Sequence, residues 1–155
     1  MKKGIFAIFC LVVAMLVVSP VWAEDAPTKE ECVAMCQNAA TLMTEQGVDE
    51  ALKQIGDPNG PFVWKGTYVF TIDMEQATVS AHPINPKLVG KSLMGMKDTN
   101  GKMFFAEFIN VARNQGEGWV DYMWPKPGEK TPSPKTSYVL RVPGTNYVML
   151  AGIYL

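Results

Sequence analysis

The residues with chemistry to offer are few: one histidine, His82, two cysteines beyond the leader, Cys32 and Cys36, and a set of polar-tipped aromatics. A single histidine, no Gly-x-Ser-x-Gly elbow and no cysteine beside a base in the same segment argue against a nucleophile-and-base triad. There is no glycine-rich phosphate loop ending in Lys-Ser or Lys-Thr. Glu107, Glu117 and Asp121 read as ordinary exposed carboxylates rather than an acid-base pair. The expectation is a binding protein with no cofactor, not an enzyme. Cys32 and Cys36 stand four apart on one helix face; Gln37 occupies the place a haem-attaching histidine would need, and three residues intervene where two are required. Two buried thiols, a disulfide at the edge of good helical geometry, and redox chemistry remain open. No metal is expected, because nothing in the spacing brings His82 to that helix. The cation best placed for binding is Lys126, held between Pro125 and Pro127 directly after Tyr122-Met123-Trp124. An ammonium beside tyrosine hydroxyls and an indole N–H suits a small carboxylate in a partly dry pocket. The plainer reading of the same residues is a solvated loop lysine, a hydrogen-bonding histidine and an aromatic sheet core.

These side chains must be positioned by local elements. Thr28 and Glu31 have capping-box spacing, and Cys32, Met35, Cys36, Ala39, Leu42 and Met43 recur on one helical face. Gly47 interrupts that helix, and a second, short one runs from Val48 to Ile55. Segments 67–72 and 78–82 are rich in β-branched and aromatic residues and form a hairpin about Asp73-Met74-Glu75-Gln76, with Tyr68, Phe70 and Ile72 on one face. A loop over 85–96 leads to a helix over 103–112, then strands over 119–124, 137–142 and 147–154. Pro125 to Pro134 contains four prolines and reads as a loop or extended crossover. The fold class is α+β: a helical part, 28–55, packed on a sheet region, 60–155, with a central antiparallel sheet of about five strands.

Lys2 and Lys3, the apolar run from Ile5 to Val18 and the small residues before Glu24 describe a secretory leader over 1–23, with one domain over 24–155. The alternative is a retained leader anchoring the protein to the inner membrane. Cys10 is not a lipidation site, since Phe9 precedes it within the apolar run. Without the leader, 12 basic residues face 15 acidic ones, a formal charge of −3, so nucleic acid is not an expected partner. The expected location is periplasmic or secreted.

The ordered landmarks Gly60-Pro61-Phe62-Val63-Trp64, Tyr68-Val69-Phe70, Ala81-His82-Pro83, Gly90-Lys91, Lys97 to Lys102, Gly116 to Pro127, Lys135 to Val139 and Ala151-Gly152-Ile153-Tyr154 resemble the single Cache domain family, subtype 2. That family supplies PAS-like extracytoplasmic sensor domains to bacterial chemoreceptors and histidine kinases. The resemblance implies a small-molecule pocket bordered by Tyr68, His82, Tyr122, Trp124, Lys126 and Tyr138, with Phe70 and Phe105 as an apolar wall and Trp64 also setting its volume. It implies a short organic acid or similar metabolite as ligand, a homodimer through the N-terminal helix, and a role in signal transduction or chemotaxis. With no output segment after Leu155, a separate membrane receptor or kinase is the expected partner. The rival expectation is an envelope interaction or structural protein that binds no ligand and dimerises through the same helix.

Overall fold

The computed structural model describes residues 26–155; the leader and Cys10 lie outside the described residues. Helix α1 spans Lys29–Gln46, started by the expected capping box: the Glu31 amide donates to Thr28 Oγ1 and the Thr28 amide to Glu31 Oε2. Gly47, at φ 91°, ends α1 and begins α2, Val48–Gly56. That φ is open to glycine and strained for other residues, so the break is written into the sequence.

The strands are β1 Val63–Trp64, β2 Thr67–Asp73, β3 Thr78–Ala81, β4 Glu117–Pro125, β5 Pro132–Arg141 and β6 Tyr147–Tyr154; helix α3, Phe104–Asn114, lies between β3 and β4. They form one antiparallel sheet of six strands, β1-β2-β6-β5-β4, with β3 also paired to β2. β1 meets Thr67 and Tyr68 while β3 meets Thr71 to Asp73, so the two share one edge of β2 and the sheet is five strands wide. The two-residue β1 is too short to leave an alternation signal, which is why pattern reading gave five strands.

Both faces are covered. α1 and α2 pack with Val69, Tyr138, Met149 and Ala151 on one side; α3 packs with Tyr68, Phe70, Val120, Tyr122 and Leu150 on the other. Every residue of β2 is therefore buried. Each large apolar side chain removed from water contributes about 1.5–3 kcal/mol, so two such layers make the sheet the most heavily stabilised part of the molecule.

The proline-rich segment corrects one expectation. β4 and β5 pair as far as Pro125 and Pro132, leaving only residues 126–131 as a loop. Proline lacks the N–H a central strand must donate, but β6 does not run alongside Pro132, and the Leu155 amide reaches only the Pro134 carbonyl. The prolines thus sit where β5 overhangs its neighbour. Lys135 becomes the first residue of β5 flanked on both sides, by Tyr122 of β4 and Tyr154 of β6.

Candidate functional site

Strand alternation sends Lys135 and Val139 to the α3 face of the sheet, with Tyr122 and Tyr154 beside Lys135 in register. The Lys135 side chain is fully buried, and its Nζ has no hydrogen-bond partner among the described residues. Nζ lies 4.3 Å from the centre of the Tyr68 ring, 4.8 Å from Tyr154 and 6.0 Å from Phe70. Three ring faces attract a cation but do not replace its hydration. Burial accordingly pulls the ammonium pKa down to about 7.

Gly152 makes this packing feasible. A Cβ there would fall 2.2 Å from Ser137 Oγ and 2.4 Å from the Thr136 carbonyl oxygen, so a side chain is excluded between β5 and β2. The Tyr122 hydroxyl and Ser137 Oγ are 3.0 Å apart and bonded to each other. The Tyr154 hydroxyl donates to the Pro125 carbonyl at 2.7 Å. Burial raises the pKa of Tyr68, Tyr122 and Tyr154, the last to about 12, so they stay protonated donors.

His82 closes the other side, just past the end of β3. It is buried, with its ring 4.8 Å from that of Tyr68 and 5.5 Å from that of Phe70. Its Nδ1 accepts the Asn85 amide at 3.0 Å, which in the neutral ring puts the proton on Nε2. Burial first, then the Lys135 charge, drive its pKa down to about 3, so near neutral pH it is an uncharged donor.

Tyr68, Phe70, His82, Phe105, Tyr122 and Trp124 line one cavity together with Val79, Leu88, Leu93, Phe104 and Phe108. Its free space is about 10 Å³, at the lower limit for one water molecule. The Tyr68, His82 and Trp124 side chains also border an outer hollow of about 210 Å³, walled by Ile84, Asn85, Pro125, Lys126, Gly128 and Glu129.

Six of the eight sequence-selected residues thus meet in one place. Lys126 does not join them: it is exposed on the outer hollow, its Nζ 5.9 Å from the Tyr154 ring centre. Tyr138 lies on the opposite face, under α1, with its hydroxyl on Glu117 and its ring 5.4 Å from Trp119. Trp64 also packs on the α1 side, away from the cavity. Cys32 and Cys36 are free, buried thiols; burial raises the Cys32 pKa to about 11 and that of Cys36 well above the usual thiol range, leaving both unreactive. Among the described residues no cluster of His, Cys, Asp or Glu could hold a metal ion.

Sequence reasoning missed Lys135, Ser137 and Tyr154. Their signal was the same parity along β5 and β6 that singled out Tyr122, but the prolines hid where β5 begins.

A family model described as Cache domain matches residues 35–155. The chain is 39% identical over 74 residues to the methyl-accepting chemotaxis protein McpP of Pseudomonas putida, a match spanning 48% of this chain and 14% of that receptor. Among solved structures, a periplasmic sensor domain of a chemotaxis protein superposes with a TM-score of 0.66 at 32% identity, covering 81% of this chain and 89% of the other. A Cache chemosensory domain, solved as the structural basis for carboxylic acid recognition, gives 0.66 at 28% identity, covering 81% and 87%. A methyl-accepting chemotaxis protein from Vibrio parahaemolyticus gives 0.68 at 26% identity with the same coverage.

Proposed function

Since the chain belongs to the Cache domain family, we propose that it is an extracytoplasmic sensing module that binds a short monocarboxylate and passes its occupancy to a chemotaxis or related signalling partner. The observation that carries this reading is the buried, unpartnered ammonium of Lys135. A lone buried charge is costly, and a carboxylate beside it restores both the opposite charge and the missing acceptor.

The surrounding donors suit the same ligand. His82 Nε2–H, the Tyr68 hydroxyl and the Trp124 indole N–H belong to side chains that line the cavity, next to the lysine. Phe70, Phe104, Phe105 and Phe108 offer an apolar wall for a short alkyl end. With so little free space, a ligand must move side chains to enter, and a long chain would meet this packed wall. The Tyr68 ring, which covers Nζ and borders both cavity and hollow, is the side chain whose rotation would join them. Lys126 at the outer hollow would attract an anion without holding it.

The test is a thermal-shift screen against acetate, propionate and pyruvate, with amino acids and amines as contrasts. A ligand at 100 times its Kd adds about 2.7 kcal/mol of stability. A raised midpoint with monocarboxylates that is lost in Lys135→Met supports the reading. Stabilisation by amines alone, or by nothing, overturns it, and the second result favours an envelope interaction protein.

A further inference from the structure

We propose that above neutral pH this site takes up one proton with each carboxylate it binds, so that it responds to anion concentration and acidity together. The inference rests on the carboxylate reading above and on the surroundings of Lys135. Facing its Nζ are Tyr68 and Phe70 from β2, Tyr154 from β6, Tyr122 from β4, His82 beyond β3 and, through the sheet, Cys32 from α1. α3 contributes phenylalanines to this face of the core. Asp98, Lys102 and Asp121 share an outer hollow with residue 135. Lys102 pairs with Glu107, Asp98 accepts backbone amides, and neither aspartate forms an ion pair with Nζ. Among the described residues, the site therefore encloses a basic nitrogen with no counter-charge and no hydrogen-bond acceptor.

In such a place the neutral amine is favoured, and burial lowers the pKa to about 7. An incoming carboxylate reverses the preference, because an ammonium beside it is paired and hydrogen-bonded. The balance is simple: a solvent proton adds to the Lys135 amine, giving an ammonium–carboxylate pair, and no bond breaks. The other facing groups stay silent near neutrality, since His82 titrates at about 3, Cys32 at about 11 and Tyr154 at about 12, with Tyr68 and Tyr122 also raised. Below pH 7 the lysine is already charged, and binding should be independent of pH. Above pH 7 each pH unit should weaken binding about tenfold, for as long as the bound lysine stays protonated.

The experiment is calorimetric titration of the protein with sodium propionate at pH 5.5, 6 and 8.5, each in two non-carboxylate buffers of different ionisation heat. The dependence of binding heat on buffer ionisation heat counts protons. Uptake near one proton at pH 8.5 and near zero at pH 5.5, with Kd about 30-fold weaker at pH 8.5 than at pH 6, is the expected result. Saturable binding with no proton uptake at pH 8.5 overturns the coupling and leaves the carboxylate reading standing. No binding of propionate at any of these pH values overturns both. A second readout needs no variant: in the unliganded protein, one lysine ε-methylene resonance should titrate near neutrality and move above pH 9 when propionate is bound. Titration of every lysine above pH 9 in the unliganded protein would overturn the coupling.

Discussion

Lys135 and His82 carry opposite consequences of the same burial. The lysine needs a partner that the unliganded fold lacks, whereas the histidine is satisfied at Nδ1 and stays neutral. Lys135→Met should therefore abolish the response to monocarboxylates while raising the thermal midpoint of the unliganded protein near pH 6, since a buried ammonium without a counter-charge is replaced by an apolar chain of similar length. Thermal denaturation with and without propionate reads both effects. A lowered midpoint would mean that the stem's packing outweighs the buried charge. His82→Ala should instead destabilise by about 1–3 kcal/mol, from a lost ring in an aromatic cluster and an Asn85 amide without its acceptor. Denaturant unfolding measures it, and a change below about 0.5 kcal/mol, the range of ordinary surface substitutions, would remove His82 from the wall. His82 was legible as the lone histidine at a strand end. Lys135 was not, because nothing in a Pro-Ser-Pro-Lys-Thr run says that its lysine points inward.

The elements fix which side chains can meet. β5 matters most, because its register places Lys135 between Tyr122 and Tyr154. Its overhanging prolines carry no signal of strand to a pattern reader, although both are compatible with a strand whose neighbour has ended. The capped α1, the Gly47 break, the β2–β3 hairpin and α3 were all readable, since each has local chemistry of its own: a capping box, a positive-φ glycine, alternation, a helical apolar face. Gly152 is the element-scale position with least tolerance. Gly152→Ala must push β5 from β6 or displace the Ser137 side chain, and a cost of about 1–3 kcal/mol with weakened ligand response is expected. Denaturant unfolding and the propionate thermal shift check both. An alanine variant of wild-type stability would show that the strands part easily there.

At the scale of the whole molecule, two helical layers enclose a sheet whose α3 face holds the ionisable site, and pH should act on stability through it. Lys135 has a folded pKa of about 7 against an unfolded value of about 10.4, so the unfolded chain binds more protons between those values. The stability of the unliganded protein should rise with pH from about 7 toward about 8.5, where ionisation of Cys32 and Cys36 in the unfolded chain begins to oppose it, and the rise should shrink with saturating propionate. His82, at about 3 folded against about 6.5 unfolded, adds a loss of stability as pH falls from about 6.5 toward 3. Thermal midpoints across pH 4–8.5 test both limbs; a flat profile between pH 7 and 8.5 would show Lys135 charged in the unliganded state. The sequence alone determined the α+β class, the helix and strand order, the Cache resemblance and most of the aromatic wall, because capping, periodicity and turn chemistry act between residues close in the chain. Only the tertiary structure decided which cation faces that wall. It left Lys126 outside, put Tyr138 across the sheet and buried Lys135, because strand register and the layer covering each face depend on contacts between segments far apart in sequence.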